Sequence, residues 1–306
     1  MSNNSDCFRN KTVLNVDFTI QFFVYHYRIG EFSNIIEWKN SEFGEIGDQL
    51  VLPLFEGVEK PPNNSLSGLN RSQRTLVREA IASDDFEGKK GQRMAVWTPD
   101  CRVLLVGMGE KDEFGHRTAR NIGARVMGLL SKKKGLSVTV RFHLWWSTER
   151  MVDFAEGMML RDYEFLAHQG IDDEHVTEPW SIDFQASVRH QDALADGLSR
   201  IHSVVGGVHL ARDLGNELAN VLYPMEYARR AVEWAENKDN VVVEVYDWDK
   251  LRDLGMGGLI NVGTGSDRKP CMVLFTLNPD ADGGVQRPCI GGKGITFDTG
   301  GIPIKH

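Results

Sequence analysis

From residue 49 to residue 167, apolar runs of strand length alternate with stretches of helical periodicity, and few folds accommodate that alternation. Gln49–Phe55 and Arg102–Val106 are short and nearly continuous in apolar character, as strands covered on both faces must be. Between them, Asn70 with Gln73 three residues on matches a capping box. Leu76, Val77, Ala80 and Ile81 then supply the apolar face of the helix that follows. Ile122, Val126, Leu129 and Leu130 fall at i, i+4, i+7 and i+8, which predicts a helix over Thr118–Leu130 packed on a sheet. Leu136–Trp145 reads as a further strand, followed by a helical stretch from Glu149 to Ala167. Such a succession specifies an α/β domain with a largely parallel sheet.

Upstream, Leu14, Val16, Phe18, Ile20, Phe22 and Val24 alternate with Asn15, Asp17, Thr19 and Gln21, the period-2 pattern of a half-buried strand. Downstream, the polar stretch Gly170–Pro179 is the best linker, and Leu194, Leu198, Ile201, Val205 and Val208 form one stripe of a long helix. A second βα pattern then begins. Pro224 opens a helix where its missing N–H costs nothing. Val241–Tyr246 reads as a strand and Lys250–Leu254 as part of a helix that Gly255 can cap, with short strands at Gly258–Val262, Cys271–Leu277 and Cys289–Gly292. The expected organisation is an unassigned N-terminal extension with a strand (1–44), an N-terminal α/β domain (45–185), and a linker helix with the first part of a second α/β domain (186–306).

Composition narrows the function classes. The 306 residues carry 35 Lys and Arg against 43 Asp and Glu, a formal charge of −8, so the chain lacks the overall electrostatic footprint of a nucleic-acid binder. Cys7, Cys101, Cys271 and Cys289 are scattered without a CxxC pair, which fits neither a zinc ribbon nor a secreted disulfide framework. No apolar run approaches the ~18 residues of a membrane span. The N-terminus lacks the basic and apolar regions of a signal peptide. These features together point to a soluble cytoplasmic protein.

A scan for catalytic motifs is mostly negative: HExxH, GxSxG and GxxxxGK[ST] are absent. Val262-Gly-Thr-Gly-Ser266 has a GxG but lacks the third glycine of a dinucleotide fingerprint, and a tight turn between strands accounts for it better. His202 and His209 are seven apart, about 10.5 Å along a helix, too far to share a metal at bonds of ~2.1 Å. Lys132–Lys134 suit the negative end of a helix macrodipole. The string CIGGKGITFDTGGIPIK, from Cys289 to Lys305, is different in kind. Five glycines surround Lys293 and Asp298, and a second lysine, Lys305, follows seven residues after the aspartate. Glycine at this density permits close approach of backbone to a ligand. A carboxylate is a natural ligand for a divalent cation, and a lysine ligates only as the free amine, which a neighbouring dication favours.

This string resembles the metal-binding signature of the leucyl (cytosol) aminopeptidases, two-metal exopeptidases with a lysine ligand. The resemblance extends upstream through Ala211–Asn216 with Asn220–Pro224, through Gly255–Ile260 with Val262–Ser266, and through Arg102–Glu110 and Glu156–Phe165 in the N-terminal half. It implies an N-terminal α/β sheet domain followed by the first part of an α/β metallopeptidase catalytic domain, two divalent metal ions (Zn or Mn), peptide substrates and a homo-hexamer. By the same resemblance Lys293 ligates one metal, Asp298 bridges both, and Lys305 is the catalytic lysine that stabilises the tetrahedral intermediate.

The sequence also departs from the family pattern. His306 follows directly on this first signature, and the acidic Asp-Met-Gly-Gly and Asn-Thr-Asp-Ala-Glu-Gly-Arg motifs do not occur. Pro303 stands where a serine is common, and Tyr223 replaces the usual Thr or Ser before Pro224. The expected activity is metal-dependent removal of N-terminal, leucine-like residues from peptides, with no turnover by residues 1–306 alone. The competing expectation is an inactive homologue acting in assembly or DNA-associated regulation.

Overall fold

The computed structural model describes residues 36–58, 61, 63–83, 86–130, 136–142, 145–168, 180–279 and 288–297. The alternating stretch Leu14–Val24, the polar stretch Gly170–Pro179 and the lysines 132–134 therefore lie outside the described residues. The chain divides into two compact units, Met1–Gly207 and Val208–His306.

The first unit is built on a six-stranded sheet of β1 (Ile36–Ser41), β2 (Gln49–Leu54), β3 (Arg93–Trp97), β4 (Arg102–Gly107), β5 (Ser137–Arg141) and β6 (Trp180–Gln185). Its spatial order is β1-β6-β5-β2-β4-β3, parallel throughout except for β3, which runs antiparallel to β4. Val51 opposes Leu104, so the two apolar runs expected to share a sheet are direct neighbours in it. Every residue of β2 is buried, as its uninterrupted apolar sequence requires.

Helices cover the two faces unequally. On one side α2 (His116–Leu130), α3 (Thr148–Arg161) and the first half of α4 (Gln191–Asn216) enclose the larger core, where Val138, Val140, Ile182 and Phe184 meet Ile122, Val126, Phe154 and Leu198. Phe142, Trp146 and Phe154 pack there mostly edge to face. On the other side α1 (Arg71–Ala82) covers only β2, β3 and β4, through Val77 and Ile81. Its capping box is formed: Asn70 Oδ1 accepts from Gln73 N, and Gln73 Oε1 accepts from Asn70 N. Leu76, expected on the buried face, is instead exposed, because the buried stripe runs Gln73, Val77, Ile81 and Leu76 falls one position outside it.

Over β5 and β6 no helix among the described residues covers that second face. The segment 42–48, linking β1 to β2, crosses it as an extended strap, and the sheet residues beneath are polar. Gly47 N donates to Thr139 Oγ1 at 3.0 Å and Asp48 N to Ser137 Oγ at 3.1 Å. Gln185 Nε2 donates to Glu45 O at 2.8 Å. Arg141, fully buried, donates to Gly44 O, Ser65 O, Ser67 O and Gln185 Oε1. Burial pushes its pKa down to about 10, with the nearby Asp183 carboxylate opposing the shift, and it stays protonated at neutral pH. A strap brings peptide groups where a helix would bring methyls, so alternate positions of Ser137–Arg141 and Trp180–Gln185 must be hydrogen-bonding residues.

The second unit contains the end of α4, α5 (Pro224–Ala235), β7 (Val241–Tyr246), α6 (Trp248–Asp253), α7 (Gly257–Gly263) and β8 (Met272–Leu277). β7 and β8 form an antiparallel pair, on which α5 packs with Trp234 edge-on to Phe275. Gly255, at φ +68°, ends α6 as expected.

Several expectations need correction. Gly258–Val262 is helical, not a strand, and its apolar run is too short for periodicity to decide between the two. The GxG that follows therefore ends a helix rather than joining two strands. Cys289–Gly292 is irregular rather than a strand. The strand expected over Leu136–Trp145 is confined to Ser137–Arg141, and the helix expected to reach Ala167 stops at Arg161. Three strands went unrecognised. β1 lies within the stretch left unassigned and β6 beyond the polar linker, while β3 is five residues long with exposed alternate positions.

α2 and α3 approach each other backbone to backbone. A Cβ on Gly123 would fall 2.0 Å from Phe154 O, and one on Gly157 would fall 1.9 Å from Arg120 O. Neither carbonyl can yield without moving a helix. Gly157→Ala should therefore destabilise the first unit by roughly 1–3 kcal/mol or more, despite alanine's better helix propensity. Gly128→Ala, on the same pair of helices, meets only Arg161 Nε at 3.6 Å and should be neutral or stabilising by up to about 1 kcal/mol. Urea unfolding of the two variants checks this, and equal effects would contradict the close approach.

Candidate functional site

The string that singled itself out in the sequence begins in an irregular segment, residues 288–297, of the second unit. Lys293 is exposed on it, between Gly292 and Gly294. Apart from its own chain neighbours, no described residue comes within 4 Å of where a Cβ would stand on Gly291, Gly292 or Gly294, so the described structure leaves the backbone open there. Ile290 and Phe297 are 93% and 71% exposed, so the described residues do not cover this segment's apolar side chains. Asp298 and Lys305 lie outside the described residues, and so does their expected convergence with Lys293 on one cleft.

Within the same unit, residues 217–224 are tied down by groups that sequence reasoning passed over. Arg230 is buried and pairs with Glu217 at 3.3 Å and with Glu226 at 2.8 Å. Arg229 pairs with Glu226 at 2.7 Å and also with Glu233. Hydrogen bonds from Arg229, and then Arg230, hold Glu226 down to a pKa of about 2 against the opposing effect of burial. Arg268 donates to Asn220 O at 2.6 Å and lies over the Tyr223 ring, 4.3 Å from its centroid. Tyr223 caps α5 without a side-chain hydrogen bond, as its replacement of Ser or Thr implies, and instead serves as a platform for that guanidinium. The i, i+3 and i, i+4 spacing of Glu226 with Arg229 and Arg230 was the legible signal. This network fixes one end of α5.

Other donors do not cluster. Among the described residues no three of His, Cys, Asp or Glu come together to hold a metal ion. His202 and His209 lie on α4, and burial lowers the pKa of His202. Cys101, Cys271 and Cys289 are free thiols. No helix among the described residues is long and apolar enough to cross a membrane.

Comparison with known proteins resolves what the string belongs to. The model of the cytosol aminopeptidase family N-terminal domain matches residues 51–169, and that of the family's catalytic domain matches residues 209–306. The chain belongs to the cytosol aminopeptidase family. A probable cytosol aminopeptidase of Methylorubrum extorquens is 33% identical over 288 residues, which cover 87% of this chain and 53% of that protein. One from Methylobacterium radiotolerans is 34% identical over 258 residues, covering 78% and 47%. The chain thus spans about half the length of the curated relatives it matches.

Among solved structures, a mutant of tomato leucine aminopeptidase superposes with a TM-score of 0.66 at 21% identity, covering 88% of this chain and 55% of that one. The bottromycin maturation enzyme BotP in complex with Mn gives a TM-score of 0.55 at 24% identity, covering 74% and 44%. The α/β architecture with its parallel-rich sheet is therefore that of the leucine aminopeptidase N-terminal domain joined to part of the catalytic domain. All three expected site residues fall within the catalytic-domain match, whereas β1 and the first half of α4 fall outside both matches.

The ion network gives a pH prediction. Glu226 has an ordinary carboxyl pKa of 4.5 when unfolded and about 2 when folded. Its ionised form therefore stabilises the fold fully above about pH 4.5, and that contribution is lost as pH falls toward 2. Glu226→Gln should flatten the acid limb of urea unfolding between pH 4.5 and 2 and lower stability at pH 7. An unchanged acid limb would remove Glu226 from the account.

Proposed function

We propose that this protein is a cytoplasmic, metal-dependent aminopeptidase that removes N-terminal residues, leucine-like ones included, from peptides. The observation that carries the reading is the catalytic-domain match over residues 209–306, which contains the whole of the Gly292–Lys305 string. Peptidase names on the curated relatives support it, and the manganese complexed by BotP supports a divalent ion, Mn or Zn. A homo-hexamer follows from the family resemblance.

In this reading Lys293, as the free amine, and the Asp298 carboxylate are two of the metal ligands. The chemistry of these donors fits, and the open backbone around Gly291, Gly292 and Gly294 leaves room for close approach. When bound, two dications supply Lewis acidity toward the scissile carbonyl and lower the pKa of water. Lys305, as an ammonium, donates a hydrogen bond to the oxygen of that carbonyl as negative charge develops on it, which stabilises the transition state more than the ground state.

The Gly292–Lys305 string by itself offers too few donors for a complete centre. A catalytic zinc keeps about three protein ligands, whereas one lysine and one carboxylate are offered here for two ions. Two dications ~3.5 Å apart repel by roughly 5 kcal/mol even at the dielectric of water, and one carboxylate sets a single negative charge against four positive ones.

Residues 1–306 purified alone and given Zn²⁺ or Mn²⁺ should bind fewer than two ions and leave a leucine anilide intact. Turnover with two ions per chain would show that ligands exist here that have not been identified. In a polypeptide carrying this sequence at the full length of its relatives, Asp298→Ala should abolish loading of both ions. Lys305→Ala should keep both ions and lower kcat by about 10²–10³-fold, the usual cost of one oxyanion donor. Wild-type kinetics in both variants would refute the assignment.

A further inference from the structure

Among the described residues the six-stranded sheet ends at β3, and the hydrogen bonds on its inner side determine which peptide groups face outward. Gly107 N donates to Gln92 O at 2.7 Å and Thr98 N to Cys101 O at 3.1 Å, in the register that opposes Met94 to Leu105 and Val96 to Val103. Hydrogen-bonded positions recur at every second residue of an antiparallel ladder, so residues 92, 94, 96 and 98 turn their peptide groups toward β4. Arg93, Ala95 and Trp97 turn theirs away from the sheet. The side chains of these three residues are also exposed, Trp97 to 64%, while Met94 and Val96 pack against the smaller core.

Sheets normally protect such an edge with charges, prolines or bulges. The opposite edge, β1, carries the Glu37–Lys39 ion pair at 2.7 Å. β3 has no proline and one charge, Arg93.

We propose that β3 is a homotypic interface, in which two copies of this chain pair β3 with β3 antiparallel about a twofold axis at Ala95, making one sheet of their two. The strand is self-complementary in that register. Ala95 opposes Ala95, where a small side chain on the axis meets its own copy without conflict. Arg93 opposes Trp97 of the second copy, twice, setting a guanidinium beside an exposed indole. That indole already accepts one guanidinium, with Arg102 5.0 Å from its ring centroid. All the paired positions on this edge are odd-numbered, the same set whose peptide groups point outward, so no register slip is needed. On the other face, Met94 comes beside Val96 of the second copy and extends the half-buried apolar surface. A twofold interface of this kind is isologous and yields assemblies of even number. The inference is independent of the peptidase reading.

The test uses the 306-residue chain and three variants. Ala95→Pro removes only an outward N–H, which an edge strand tolerates. It should keep the parent's circular dichroism and sediment at half the parent's mass. Ala95→Cys should oxidise to a disulfide-linked dimer beyond the parent's background, because opposed Cα atoms of a hydrogen-bonded pair lie about 5.5 Å apart, within disulfide reach. Arg93→Cys should not, since the register separates the two copies of residue 93 by about 13 Å. The proposal is overturned if the parent sediments as a single 34.4 kDa chain. It is equally overturned if folded Ala95→Pro keeps the parental mass, or if Arg93→Cys cross-links as readily as Ala95→Cys. Should Ala95→Pro lose its fold, the cysteine pair decides by itself.

Discussion

A buried guanidinium organises the first unit. Arg141 sits at the carboxyl end of β5 and donates to backbone carbonyls of two separate loops, Gly44 in one and Ser65 and Ser67 in the other, as well as to Gln185 of the neighbouring strand. A planar, permanently charged group with five donors can satisfy so many acceptors in one plane, which a lysine could not do. The loops it joins are the strap across β5 and β6 and the turn that leads into α1. With both held, β1 can lie with two strands between it and β2 although only seven residues connect them. Without such a strut, the polar face of β5 and β6 would be left to water or to itself.

How much of this was readable in advance depended on whether a residue's partner was local. The capping box at Asn70, the helix over Ile122–Leu130 and the Pro224 helix start are decided within a few residues, and each is found where the spacing put it. Alternation in Ser137–Arg141 is equally visible in sequence, yet its meaning is not. Thr139 and Arg141 are polar because of a strap almost a hundred residues upstream, and no local pattern announces that. The missed strands β1 and β6 pair with each other across 144 residues. Gly258–Val262 failed for the opposite reason, since three apolar residues, Leu259, Ile260 and Val262, between glycines satisfy a strand and a helical turn equally.

The candidate site was legible as chemistry rather than as geometry. A lysine and an aspartate among five glycines carry a recognisable signature, and the family match covers that string. The fold around it is less readable, because Cys289–Gly292 has the composition of a strand and the described structure of an irregular segment. Conversely, the pairing of Glu226 with Arg229 and Arg230 was written into the helical spacing of α5, though only the structure brings in Glu217 and shows Arg230 buried.

The pairing of β1 with β6 has a kinetic side. Among the described residues β1 has no other strand neighbour, and Ile36 opposes Trp180. A ribosome delivers β1 first of the six strands and β6 last. At synthesis rates of about 5–20 residues per second, the 144 residues between those partners take roughly 7–30 s to emerge. For that interval the peptide groups of β1 have water, or some other protein, as their only company. The first part of the sheet to be made is thus the last that can close, and the waiting time is set by topology rather than by the stability of the finished fold.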